Sequence, residues 1–209
     1  MNEAKSIFTH IYDTNLWGSE ESASGTGSTL KETETLRAKL PLLLSDILKR
    51  ENKLIFMDAP CGDFNWFQYM DTSNIEKYIG VDIVEAVIQK NNTIYGNSNR
   101  TFINSNIITD NLPYADVILC RDCLVHFPHE EIFRAISNFK KSGSKYLLTT
   151  TFPTSPENVD IILGNWRPLN LQIAPFNFPQ PIHLLHEELQ LNDKIFDSKS
   201  LGLWKLEDL

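Results

Sequence analysis

From residue 53 onward the chain alternates short apolar runs with longer stretches whose apolar residues recur at helical spacing. The runs are Lys53 to Met57, Lys77 to Val81, Arg100 to Ile103, Ala115 to Cys120 and Lys145 to Thr151. Each has the length of a strand, and the last ends in β-branched residues; Arg100 to Ile103 is the weakest. Between them, Asp63 to Met70, Val84 to Asn92 and Pro128 to Lys141 carry helical patterns. Strands alternating with helices predict a parallel sheet with helices on both faces. The last segment breaks this rhythm. Ile182 to His186 and Ser200 to Leu206 read as two strands around a polar turn, which predicts an antiparallel strand closing the sheet.

The first 50 residues follow another pattern. Glu3 to Ile11 reads as a short amphipathic helix. Trp17 to Thr29, WGSEESASGTGST, has the composition of a flexible linker or of a mobile loop walled by Trp17. Leu36, Leu40, Leu43, Leu44, Ile47 and Leu48 then recur near helical spacing within a helix from Leu30 to Arg50, which Pro41 would divide or kink. The expected organisation is a helical extension over 1–50 and an α/β domain over 51–209, one compact unit in all.

Charge and composition narrow the function. The 209 residues are 42% apolar and 22% charged, with a net charge of −8. That acidity argues against a nucleic-acid partner, because a phosphate backbone is held by clustered Lys and Arg. It leaves room for a small basic pocket and a phosphorylated metabolite. The longest apolar stretch, around Leu40 to Leu44, is interrupted by Pro41 and followed by Ser45 and Asp46, so no membrane span is expected. No signal peptide is apparent, and the three cysteines form no disulfide framework. A cytoplasmic protein is expected.

In an open α/β sheet, ligands bind beyond the carboxyl ends of the strands. The first run is followed by Asp58-Ala59-Pro60-Cys61-Gly62-Asp63, where small residues admit a ligand close to the backbone. The second run ends in Asp82, placed to accept hydrogen bonds from a ribose diol or to cap the next helix. The glycine fingerprint of a dinucleotide fold is missing, which disfavours a nucleotide-dependent oxidoreductase. Cys120, Cys123, His126 and His129 recur every third residue. Structural zinc sites gather ligand pairs from separate turns, and redox Cys pairs open a helix with the first Cys exposed. Neither pattern fits, and no metal is expected.

The pair LIFMDAPCGD and YIGVDI resembles motifs I and II of class I methyltransferases that use S-adenosylmethionine (SAM). The stretches WGSEESASGTGSTLKETE, ILCRDCLVHF, KYLLTTTFP and GNWRPLNLQIAPFNFPQP resemble a bacterial subgroup with DAPCGDFNW as its first motif. That subgroup is found among cell-surface polysaccharide and secondary-metabolite functions, and the resemblance covers nearly the whole chain. It implies a Rossmann-like class I fold: a mostly parallel seven-stranded sheet with an antiparallel final strand. It also implies SAM as cofactor, with Asp58, Pro60 and Gly62 at the methionine half, Asp82 on the ribose and Ile83 flanking the adenine. Asn106, beside Ile107, stands where the family presents Asp to the adenine amino group. Cys120 and Arg121 would sit against the reactive methyl.

SAM carries its own leaving group, so the chain's work is binding and orientation. A hydroxyl acceptor also needs a base, and Asp122 with His126 is the expected pair, unless His126 packs under the cofactor and Asp122 caps the turn. Arg37 is expected at the SAM carboxylate or in a surface ion pair. Trp17, Arg121, Arg167 and Asn170 are expected around a small polar acceptor such as a sugar or phosphorylated intermediate, methylated on oxygen or, second, nitrogen. A non-catalytic SAM or nucleoside binder is the alternative.

Overall fold

The computed structural model describes residues 3–48, 53–188 and 198–209. Its chain divides into two compact units, 1–106 and 107–209. The N-terminal segment belongs to the first unit, where it is hydrogen-bonded to the turn after the first strand. Seven strands form one mixed sheet.

The first unit holds α1 (Glu3–Asp13), α2 (Glu34–Leu48), β1 (Leu54–Asp58), β2 (Ile75–Asp82), α3 (Glu85–Tyr95) and β3 (Arg100–Asn104). Its strands are parallel in the order β3-β2-β1. The register sets Asp58 opposite Gly80 and Asp82 opposite Asn104, so strand ends carrying polar residues lie side by side. Helix α2 runs through Pro41 without a break. It begins at Glu34 instead of Leu30, after a turn in which the Thr33 N–H and hydroxyl both donate to the Thr29 carbonyl. Lys49 and Arg50 lie outside the described residues.

The expected helix from Asp63 to Met70 is only a short 3-10 turn, Phe67–Tyr69. Phe64 takes a left-handed φ of 61°, which stops an α-helix there. It thereby drives its ring into an aromatic cluster, with Phe102 at 5.3 Å edge-on and Tyr78 at 5.1 Å. Phe67 lies 4.7 Å from Tyr78, and the Arg100 guanidinium caps Phe64 at 4.9 Å. Aromatic contacts of this kind add about 0.5–1.5 kcal/mol each beyond area burial.

The second unit holds β4 (Val117–Cys120), α4 (His129–Lys141), β5 (Tyr146–Thr151), β6 (His183–His186) and β7 (Ser200–Lys205), in the order β4-β5-β7-β6. Strands β4 and β5 are parallel, and β7 runs antiparallel to both β5 and β6. The final strand is therefore the antiparallel one. Most of the connection between β6 and β7 lies outside the described residues. All of β4 is buried, as its unbroken apolar sequence requires. Helix α4 buries Ile132, Ala135, Ile136 and Phe139, one face at helical spacing. Acidic residues stand in its first turn and lysines in its last, each matching the helix dipole.

On β7 the Trp204 ring folds back over Gly202: a Cβ there would lie 2.1 Å from the ring. The ring is buried, and its Nε1–H donates to the Pro179 carbonyl at 2.8 Å, so it cannot swing aside. Gly202→Ala is expected to lower stability by about 1–3 kcal/mol, read by thermal unfolding.

Candidate functional site

In the first unit, β1 ends at Asp58 and the chain turns through Gly62, whose φ of 54° belongs to the left-handed region. The Gly62 N–H donates to Asp82 Oδ2 at 3.1 Å, and the Val84 N–H donates to Oδ1 at 2.9 Å. Asp82 is 4% exposed. Burial pushes its carboxyl up to about 6, against the pull of the Val84, Gly62 and Ile83 N–H groups. The Asp82 carbonyl is also held, by Asn104 Nδ2 and the Ser105 N–H, both at 3.0 Å. Each carboxylate oxygen has a second lone pair, so the group can accept from a vicinal diol.

Asp58 is buried, and its Oδ2 accepts from the Tyr78 hydroxyl at 2.8 Å. Asn91 Nδ2 donates to the Gly62 carbonyl at 2.8 Å, bracing the same turn from α3. Ile83 is half-buried beside Asp82, and Pro60 is half-buried in the turn. Asn106 and Ile107 are buried, the first closing this unit and the second opening the next. The Ile107 carbonyl accepts from Asn138 Nδ2 at 2.9 Å.

The serine-rich stretch is not a linker. Asp63, in the motif I turn, accepts from Ser22 Oγ at 3.0 and 3.1 Å, from the Ala23 N–H at 2.8 Å and from Ser24 Oγ at 3.2 Å. Asn65 Nδ2 donates to Glu21 Oε1 at 2.7 Å and to the Ser28 carbonyl at 3.1 Å. Ser24 Oγ also lies 2.8 Å from the Tyr12 hydroxyl of α1 and 2.2 Å from where a Gly62 Cβ would stand. Trp17 is half-buried against Phe8 and Tyr12, with ring centroids 6.2 and 6.1 Å apart.

Arg37 Nη2 donates to the Leu30 carbonyl at 2.8 Å. Its Nε is buried and has no hydrogen-bond partner among the described residues, which leaves a donor for a carboxylate. Tyr12, Asp63 and Asn65 were not singled out in the sequence as site residues; Asp63 and Asn65 stood inside the quoted motif. Asp63→Ala is expected to release the loop and raise the rate of protease cleavage within 18–28 about tenfold or more.

In the second unit, Cys120 ends β4 and is buried, its carbonyl accepting from Thr149 Oγ1 at 2.7 Å. Arg121 forks onto Glu187 Oε2, with Nε at 3.1 Å and Nη2 at 2.6 Å, while Nη1 lies 3.1 Å from Asp122 Oδ2. Lys199 Nζ joins Asp122 Oδ2 at 2.6 Å and Glu187 Oε2 at 3.5 Å. Asp122 has a left-handed φ of 51°, and its N–H donates to Thr150 Oγ1 at 2.8 Å. Burial alone would raise its carboxyl; Arg121 and Lys199 overcome that and hold it down at about 2. It is an anion at every working pH and a poor proton acceptor.

His126 ends the short turn Leu124–His126, with Nδ1 3.0 Å from the Asn165 carbonyl. A carbonyl only accepts, so Nδ1 carries the hydrogen and the neutral ring has its lone pair on Nε2. Burial first, then Arg167 and Lys199, lower its pKa from 6.5, while the Asn165 carbonyl and Asp122 pull the other way. The ring is therefore neutral at pH 7. The carbonyl of Asn165 sets its tautomer, and the Asp122 carboxylate favours its charged form.

Arg167 and Asn170 were expected at an acceptor. Arg167 is 6% exposed. All three of its guanidinium nitrogens donate to backbone carbonyls: Nε to Val159, Nη1 to Leu124 and Nη2 to Phe127. Asn170 Nδ2 donates to the Pro153 and Ser155 carbonyls, and its Oδ1 accepts from the Gln172 N–H. Both side chains shape the loop after β5. Glu187 and Lys199 were missed, since nothing beyond their charge marks them in a polar connection. All three cysteines are buried. Among the described residues no three His, Cys, Asp or Glu side chains converge on a metal position, and no helix is long and apolar enough to cross a membrane.

No family profile matches the sequence, and no curated protein matches it. Solved structures do match the fold. Magnesium protoporphyrin IX methyltransferase from Synechocystis, solved with bound SAM, superposes with a TM-score of 0.62 at 14% identity, covering 98% of each chain. The 1,6-didemethyltoxoflavin-N1-methyltransferase of Burkholderia thailandensis, with bound S-adenosylhomocysteine, gives 0.65 at 13% identity over 96% of this chain and 86% of that one. The N-methyltransferase NodS of Bradyrhizobium japonicum gives 0.54 at 12% identity over 84% and 98%. At such identities the likeness concerns architecture, and the chain has the Rossmann-like fold of SAM-dependent methyltransferases.

Proposed function

We propose that this chain is a SAM-dependent enzyme that transfers a methyl group to an oxygen of a small polar metabolite. The observation that carries the reading is Asp82: a buried carboxylate at the end of β2, tied through the Gly62 N–H to the glycine turn after β1. A fixed acceptor of that kind suits the two ribose hydroxyls of a nucleoside cofactor.

The other residues then take their parts. Asp58, Pro60 and Gly62 line the methionine half, and the Nε of Arg37, without a hydrogen-bond partner among the described residues, meets the carboxylate. Ile83 and Ile107 flank the adenine, and Asn106 accepts from its amino group. When bound, SAM supplies an activated methyl on a sulfonium. His126 takes the acceptor's proton on Nε2 as the new oxygen–carbon bond forms, and Cys120 with Asp122 lines the end of β4. Trp17 is assigned to the acceptor as an aromatic wall in the same proposal. Arg121 and Arg167 are committed to Glu187 and to backbone carbonyls, which favours an uncharged, sugar-like acceptor over a phosphorylated one. A cytoplasmic role in cell-surface polysaccharide or secondary metabolism belongs to the same proposal.

Nitrogen is the second reading, since two of the similar structures are of N-methyltransferases. Calorimetry with S-adenosylhomocysteine tests the cofactor half: micromolar binding, about −8 kcal/mol, is expected. No binding would remove the reading. Tight binding without a labelled methyl product from any hydroxyl or amine acceptor would leave a non-catalytic SAM binder.

A further inference from the structure

We infer that Arg167 is a positioning residue for His126, fastening through its guanidinium and its own backbone segment the turn that presents the imidazole. This rests on the reading of His126 as the acceptor's base, and adds the group that places the ring.

The turn Leu124–His126 is one short 3-10 turn, and such a turn satisfies few of its own carbonyls. Segment 164–167 supplies the missing donors. The Gly164 N–H donates to the His126 carbonyl at 2.9 Å and the Arg167 N–H to the Val125 carbonyl at 3.1 Å. Arg167 Nη1 donates to the Leu124 carbonyl at 3.0 Å and Nη2 to the Phe127 carbonyl at 2.7 Å. Four consecutive carbonyls, 124 to 127, thus accept from this one segment. The same segment's Asn165 carbonyl receives the His126 Nδ1–H at 3.0 Å. Arg167 Nε reaches the Val159 carbonyl at 3.1 Å and closes the loop upon itself.

A single buried cation holds three backbone carbonyls on two segments, and only a planar fork can do so. Lysine has one nitrogen and could reach one or two of the three carbonyls. Burial lowers the guanidinium's pKa to about 10, with Asp160 opposing, so it stays charged at neutral pH. The charged groups that act on His126 are Asp122, which favours its protonated form, and Arg167 and Lys199, which disfavour it. Arg167 therefore fixes the place of the ring and helps keep it neutral.

NMR of the full chain with nitrogen-labelled histidine reads both effects without an acceptor. Wild-type His126 is expected as the neutral Nδ1–H form at pH 7, with a midpoint below 6.5. In Arg167→Lys, which keeps the charge but not the fork, the Nε2–H form should appear, and in Arg167→Ala, which loses the charge, the midpoint should also move up. Added guanidinium ion should restore the wild-type signal in Arg167→Ala. With an acceptor in hand, Arg167→Lys should lower kcat about tenfold and leave KM unchanged. An Nε2–H ring in the wild type, or an unchanged tautomer in Arg167→Lys, would overturn the inference even where Arg167→Ala does not fold. If the Arg167 variants move His126 but His126→Gln methylates at the wild-type rate, positioning stands and the base reading falls.

Discussion

Replacing Asp82 with alanine should lower the affinity for S-adenosylhomocysteine about 100-fold or more, with only a small change in stability. The two effects separate because their magnitudes differ. Each hydroxyl that donates to a carboxylate contributes about 1.5–3 kcal/mol, so losing two is worth about 3 kcal/mol or more of binding. For folding, alanine removes the cost of a buried charge but orphans the Gly62 and Val84 N–H groups, at about 1–3 kcal/mol each, and these terms largely cancel. Calorimetry and thermal unfolding of one variant check both. Wild-type affinity in Asp82→Ala would remove the cofactor assignment.

The same carboxylate predicts opposite pH trends for folding and binding. Its folded pKa, about 6, lies above the ordinary 3.8, so the fold binds the proton more tightly than the unfolded chain does. The unliganded protein therefore loses stability as pH rises from about 4 to 6, by on the order of 2–3 kcal/mol, and is level above that. Ribose hydroxyls need the ionised form, so S-adenosylhomocysteine should bind more weakly as pH falls below about 6. Asp82→Asn should flatten both trends.

His126→Gln should lower turnover about 100-fold or more, the usual contribution of a positioned general base, while leaving S-adenosylhomocysteine binding unchanged. Glutamine keeps a side-chain amide near the Asn165 carbonyl and cannot accept a proton. In the wild type the rate should be level through pH 7 and fall only below 6.5, because burial lowers the imidazole's pKa. Asp122→Asn should not reproduce this loss in kind. Its carboxylate, held at about 2 by Arg121 and Lys199, has no proton to exchange near neutrality. Full activity in His126→Gln would make the ring structural.

What could be read from the residues follows from which interactions are local. Strands β1, β2, β4 and β5 announce themselves as apolar runs, and Asp58, Gly62 and Asp82 fall where the strand ends put them. The turn at Phe64 was misread as helix because its backbone answers to rings from β2 and β3, distant in sequence. Arg167 and Asn170 looked like acceptor residues because a cation and an amide in a loop resemble recognition groups. Their partners are backbone groups, which no composition reveals. Glu187 meets Arg121 across 66 residues and Lys199 meets Asp122 across 77, pairings that exist only in the folded chain.

The hydrogen bonds from Ser22, Ala23 and Ser24 to Asp63 bear on the thermodynamics of ligand capture. A stretch this rich in glycine and serine would ordinarily remain disordered and become ordered at the moment a ligand arrives, weakening association and giving a large negative heat-capacity change. Here the ordering is completed when the chain folds, by contacts that involve no ligand. Cofactor association should accordingly show the small heat-capacity change of a preformed cleft, and its temperature dependence should look like that of a rigid receptor.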